Sequence, residues 1–155
     1  MLSDIVVDTN VLMHSRNSVA DIVSDPHGFL RGASEFVCAF ENCHTKLCVD
    51  DAGQILGEYM GKMVPGKAGA SILAKLALTK RIRRVHGQLN QTHRKHANTM
   101  NIVARDRTFL AVAVHSDEKL LVSHDMNHFL RHKQDIRTRF QVAVLKACEC
   151  LHRLP

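Results

Sequence analysis

Four carboxylates stand apart from their surroundings along this chain. Asp8 ends the apolar run Ile5-Val6-Val7 in "DIVVDTNVL", residues 4–12. Glu58 interrupts the apolar stretch "ILGEYMGK". Asp106 precedes "RTFLAVAV", and Asp125 follows "LLVSH". Brought together, four carboxylates repel and raise one another's pKa. A hard divalent cation relieves that repulsion, because Mg²⁺ takes oxygen ligands, keeps several waters and pairs with substrate phosphates. The chemistry such a set supports is attack of a water on a phosphodiester, with the same or a second metal stabilising the leaving oxygen. Asn10 and Ser123 are expected to orient carboxylates or waters as neutral supports. His124 and His128 flank Asp125, where a metal or acid/base role stands as the alternative to a plain loop role; the loop role is the expected one, since Mg²⁺ prefers oxygen.

Taken singly, each acid has a plainer explanation. Asp8 suits a strand-end turn or a helix cap, Asp106 an N-cap, and Asp125 a cap for residues 126–132. Glu58 suits a solvent-facing helix position. The case rests on the set.

The elements that must position these residues follow from apolar patterning. Residues 4–8 are apolar without alternation, the pattern of a parallel strand covered on both faces. A helix is predicted from Val11, another over 29–43, and a short strand over 46–49. "DDAGQILGEYMGKM", residues 50–63, reads as a helix capped by Asp50 or Asp51, with Ile55, Leu56, Tyr59, Met60 and Met63 on its apolar face. Pro65 and Gly66 stop it. Residues 67–84 read as one further helix with a basic C-terminal end. A helix over 106–115, a turn and a strand over 119–123 come next, then a further strand and a closing helix within 135–152. Helices alternating with short apolar strands argue for an α/β domain with a mainly parallel sheet. In such sheets the carboxyl ends of the strands face the ligand crevice, so "IVVDTN" and "LLVSHD" would aim Asp8 and Asp125 at the same edge.

The chain has 155 residues, 45% hydrophobic, the size of one domain, read as residues 1–155. No apolar stretch is long enough to span a bilayer. The start lacks the basic and apolar regions of a signal peptide, so a cytoplasmic location is expected. The five cysteines then read as reduced thiols. Cys38, Cys43, His44 and Cys48 match no closed zinc spacing well. The net charge of +6 is concentrated in residues 79–96, which contain no acid. Such a stretch suits a polyanion, most commonly nucleic acid. Lys80, Arg81, Arg83, Arg84, Arg94 and Lys95 are the expected RNA contacts. With one Tyr and no Trp, stacking of bases on an aromatic platform is not the expected mode.

Four segments, in this order, resemble the PIN-domain family of compact nucleases, which includes many bacterial toxin ribonucleases. They are "VVDTNVLMHS", "ILGEY", "ARDRTFLAVAV" and "KLLVSHDMNHF". The resemblance covers most of the chain. It implies a three-layer α/β/α fold with a central four- to five-stranded parallel sheet. It also implies Mg²⁺- or Mn²⁺-dependent cleavage of RNA, often by a homodimer and in toxins under an inhibitory antitoxin-type partner. Asp8, Glu58, Asp106 and Asp125 would be the catalytic, metal-binding quartet, supported by Asn10 and Ser123. One departure is Asn127, where many members carry a further acid; that weakens the case for a tightly held second metal.

Two other functions fit the same residues. An aspartyl-phosphate phosphatase would use Asp8 as nucleophile, but would need an acid at the position held by Asn10. A catalytically silent RNA-binding or scaffold protein would bind RNA without metal-dependent cleavage.

Overall fold

A computed structural model describes residues 2–15 and 25–155. Five strands form one all-parallel sheet in the order β3-β2-β1-β4-β5. They are β1 (Asp4–Val7), β2 (Lys46–Asp50), β3 (Ile82–Val85), β4 (Leu120–Val122) and β5 (Ala143–Leu145). The described helices are α1 (Thr9–His14), α2 (Phe29–Asn42), α3 (Gln54–Lys62), α4 (Ala68–Leu78), α5 (Gln91–Thr99), α6 (Ala104–His115), α7 (Lys133–Phe140) and α8 (Ala147–Leu151). The architecture is a three-layer α/β/α sandwich. Among the described residues, no helix is long and apolar enough to cross a membrane.

Burial explains the patterning. All four residues of β1 and all three of β4 are buried, as expected for inner strands of a parallel sheet covered on both faces. Helix α6 lies against β1, β2 and β4. Asp106 and every residue from Thr108 to Ala113 on α6 are buried, which is why its sequence is apolar nearly all round. Helices α1, α2, α4 and α8 pack on one another, and Phe36, Phe40, Ile72 and Leu76 from this group are fully buried.

Local chemistry sets the helix starts. Asp50, the last residue of β2, accepts the backbone N–H groups of Gln54 and Ile55 at 2.8 and 2.7 Å, satisfying donors the helix cannot satisfy itself. Asp25 does the same for Phe29, Leu30 and Arg31. On α3, Ile55 and Tyr59 are buried as the spacing predicts, but Met60 is 76% exposed.

Residues 67–84 are not one helix. The chain ends α4 at Leu78, turns, and enters β3. The turn is a Schellman-type stop, with Arg81 N–H on the Leu76 carbonyl at 2.8 Å and Lys80 N–H on that of Ala77 at 3.2 Å. Lys80 occupies the left-handed position at φ 56°, where glycine is usual. Residues 82–85 then pair in register with β2, Leu47 opposite Ile82 and Asp50 opposite Val85.

The strand order places the topological switch point between β1 and β4: the chain builds outward through β2 and β3, then returns to the other side of β1. Ligands bind outside the carboxyl ends of the strands at such a point.

Candidate functional site

Register brings the two Asp-bearing strand ends together. Val6 pairs with Leu121 and Val7 with Val122, and the Asp8 N–H donates to the Val122 carbonyl at 2.8 Å. Asp8 and Ser123 therefore leave the sheet side by side. Ser123 Oγ donates to Asp8 Oδ2 at 2.7 Å and accepts the Asp125 N–H at 2.9 Å, so one hydroxyl fixes both acids. Asn10 donates to the same Asp8 oxygen at 3.0 Å, while its Oδ1 accepts the His124 N–H at 3.1 Å. Asn10 and Ser123 thus clamp β1 to β4 across the switch point.

Thr9 completes the use of the Asp8-Thr9-Asn10 run. Its hydroxyl donates to Glu58 Oε1 at 2.7 Å, an oxygen that also lies 3.1 Å from Lys62 Nζ. Helix α3 is held in place by the next residue: the hydroxyl of the fully buried Tyr59 donates to the Val7 carbonyl, one residue before Asp8. Burial keeps that phenol protonated by pushing its pKa well above the usual value.

Asp106 enters from the first turn of α6, where a helix N-terminus favours a carboxylate. The tightest grouping is Asp106, Asp125 and His128, whose ligand-type atoms all lie within 4.8 Å of one another. Among the described residues no other group of three such side chains is that close. His128 Nδ1 hydrogen-bonds Asp125 Oδ2 at 3.0 Å and sits 2.9 Å from Asp106 Oδ2. Asp125 also caps its own turn, accepting the N–H groups of Asn127 and His128, so its capping role and its place in the cluster coexist.

The electrostatics follow from this crowding. Asp8 is raised to about 7, first by burial, then by Asp106, Asp125 and Glu58, with the Ser123 hydrogen bond opposing them. Asp106 is also raised, chiefly by burial, while His128 and Arg105 hold it down and Asp125 and Glu58 push it up. Among the described residues, the buried oxygen Asp106 Oδ2 makes no hydrogen bond of good geometry, and its near polar neighbour is His128 Nδ1 at 2.9 Å. Two carboxylates this close and only partly satisfied repel, and a cation between them relieves the repulsion. The carboxylate oxygens are the donors a hard divalent cation takes, whereas the imidazole of His128 suits a softer one.

Glu58, Asp106 and Asp125 are thus close enough to push Asp8 up, and Glu58 and Asp125 close enough to push Asp106 up. His128, expected mainly as a loop residue with a metal role as the alternative, lies within this cluster. Nothing in the spacing of "SHDMNHF" says that a loop imidazole reaches between α6 and the end of β4.

The six basic residues separate into different roles. Arg81 is a correction: it is buried, and its guanidinium donates to the carbonyls of Phe40, Glu41 and Thr45 at 2.7–3.1 Å. It fastens the α2–β2 turn and has no donor fork to offer RNA. Arg83 is likewise engaged, with the buried Asp4 at 2.6 Å and with Asp117. Lys80 precedes β3, on the amino edge of the sheet, away from the acids. Arg84, Arg94 and Lys95 follow the start of β3 toward the carboxyl edge, and all three are exposed.

Comparison with protein-family models and with curated proteins returns no match for this chain.

Proposed function

We propose that this chain is a metal-dependent ribonuclease whose centre is the acidic cluster at the β1/β4 switch point. The observation that carries the reading is the convergence of four carboxylates, with Asp106 and Asp125 meeting at the centre and Asp8 pushed up to about 7 beside them. That is an arrangement unfavourable without a cation and favourable with one. Asp106 and Asp125 would hold the ion, with Asp8 and Glu58 completing its anionic surroundings. A bound Mg²⁺ or Mn²⁺ supplies Lewis acidity toward the phosphate and lowers the pKa of water.

The chain's own residues do the rest. Ser123 and Asn10 fix the rotamer of Asp8 and so the direction of its second oxygen. Thr9 and Lys62 hold Glu58 at the rim. His128 spans the two central carboxylates and keeps them from separating. RNA is favoured as the polyanion by the basic carboxyl-edge residues Arg84 and Arg94. The five free thiols fit action in a reducing cytosol. An aspartyl-phosphate mechanism is disfavoured because Asn10 is an amide with both its groups engaged. Homodimerisation and an inhibitory protein partner belong to the same reading.

The test is incubation of labelled single-stranded RNA with the protein in Mn²⁺, Mg²⁺ or EDTA, beside Asp106→Asn. Cleavage that requires the metal and disappears in the variant is the expected result. Binding without cleavage under any metal would replace the reading with a silent RNA-binding role.

A further inference from the structure

The acidic cluster has two flanks of different character. On the β4 side the space is filled by stacked rings: Phe29 lies 4.4 Å from His124 and His14 5.1 Å from His124, centroid to centroid. His124 is buried there, its Nε2 accepting the Ala147 N–H at 3.2 Å. On the β2 side the surface opens. A depression of about 160 Å³ beside Glu58 and Arg105 adjoins a second of about 220 Å³ lined by Gly87, Arg94 and Arg107. Gln54 and Thr108 line both, and the Thr108 hydroxyl donates to Gln54 Oε1 at 2.9 Å. The two depressions are therefore one trough with a low polar ridge between them.

The lining is chemically one-sided. Its arginines are Arg94, Arg105 and Arg107, and its sole acid is Glu58, at the end nearest the cluster. Arg107 lines the trough and is held in place, with Nε donating to the Ile102 carbonyl at 2.6 Å. Arg94 stands exposed on α5. The floor is made by Gly87, where a Cβ would lie 2.5 Å from the Cβ of Asp50. Asp50 is itself fixed by capping α3. A side chain at residue 87 would collide with Asp50 and disturb that cap.

We infer that this trough is the track of the substrate strand: a single-stranded RNA lies along it, its phosphates on Arg107 and Arg94, so that the next phosphate beyond Arg105 reaches the acidic cluster. Arginine forks match phosphate oxygens, and backbone contacts of this kind position a strand without reading its sequence. The inference rests on the ribonuclease reading for its substrate. It adds the direction from which the strand arrives and the residues that hold it, and it excludes the ring-packed flank.

The experiment is fluorescence anisotropy with a labelled single-stranded RNA of about twelve nucleotides over a salt series, in EDTA so that the strand stays intact. Wild type, Arg94→Ala, Arg94→Lys and Lys95→Ala are compared, and the same proteins are assayed for cleavage with Mn²⁺. Lys95 is the neighbouring exposed cation on α5 and does not line the trough. Arg94→Ala is expected to weaken binding by about tenfold and to flatten the salt dependence by about 0.7 in log–log slope, as when a single phosphate is no longer neutralised by the protein. Arg94→Lys should recover part of the affinity, Lys95→Ala should change little, and in cleavage Arg94→Ala should raise KM with little effect on kcat. Equal weakening by Lys95→Ala and Arg94→Ala would reduce the effect to net charge and overturn the track. Unchanged affinity in Arg94→Ala, with the wild type binding and cleaving, would overturn the track while leaving the nuclease reading intact. A wild type that neither binds nor cleaves RNA would overturn both.

Discussion

Replacing Asp8 with asparagine should stabilise the metal-free protein at neutral and alkaline pH. Asp8 is nearly buried, 7% exposed, and its pKa rises from 3.8 to about 7 in the fold. A folded pKa above the unfolded one means that the native state holds a proton the unfolded chain has released. The stability of the protonated form is fully present below about pH 4, falls as pH rises, and is gone once pH passes about 7. A rise of roughly three units, at 1.36 kcal/mol each, amounts to about 4 kcal/mol. Asparagine carries no charge, and its carbonyl can still accept the Ser123 hydroxyl. The gap between Asp8→Asn and wild type in EDTA should therefore widen by about 4 kcal/mol between about pH 4 and pH 8. In a domain of this size that is a shift in Tm of roughly 8–16 °C. Comparing variant with wild type at each pH cancels the histidines, which titrate in both. Urea unfolding followed by circular dichroism gives the measurement, and added Mg²⁺ should close the gap by stabilising the wild type alone. A gap that stays constant with pH, or an asparagine variant less stable at every pH, would refute the reasoning.

Three further outcomes follow from the same structure. Ser123→Ala removes a charge-assisted hydrogen bond from Asp8, so Asp8 should titrate still higher and the acid limb of any metal-dependent activity should move to higher pH; an unmoved limb would count against the assigned hydrogen bond. Arg81→Ala leaves the Phe40, Glu41 and Thr45 carbonyls without their donor and should cost about 2–5 kcal/mol in urea unfolding, with RNA affinity unaffected, whereas a failure to bind RNA in a stable variant would return Arg81 to the surface. His124 is held down to about 3, mainly by burial, so it lowers stability progressively as pH falls below about 6.5; nitrogen NMR near pH 6 should find its ring neutral with the proton on Nδ1, since Nε2 accepts from Ala147, and an imidazolium there would contradict the assignment.

The strands that carry the site are legible because inner parallel strands leave a plain trace, an unbroken apolar run ended by polar residues. Ile5-Val6-Val7 before Asp8 and Leu120-Leu121-Val122 before Ser123 are both of this kind. That β1 and β4 are neighbours is not legible, since strand order is set by how the helices pack and not by either strand's residues. β3 reads as the end of a helix for a local reason. The turn before it uses Lys80 in the left-handed conformation, so the glycine that normally marks a helix stop is missing. Four residues, Ile-Arg-Arg-Val, are too few for periodicity to separate strand from helix. The basic stretch reads as one surface because charge is visible in a sequence and burial is not. Arg81 turns inward to the carbonyls of the α2–β2 turn, Arg83 to Asp4, and Arg94 alone of the six lines the trough. Asp50 shows the converse. It ends β2 as Asp8 follows β1, but its oxygens cap α3, so it stands outside the acidic cluster. His128 reads first as a loop residue because its partners lie on two different elements.

The most direct test of the acidic cluster as a metal centre is calorimetric titration of Mn²⁺ into the RNA-free protein near pH 7.5, beside Asp106→Asn. The account predicts saturable binding in the wild type, with proton release as Asp8 ionises, and affinity lower by at least about tenfold in the variant, as expected when a ligand is removed. No binding in the wild type, or equal binding in Asp106→Asn, would contradict it.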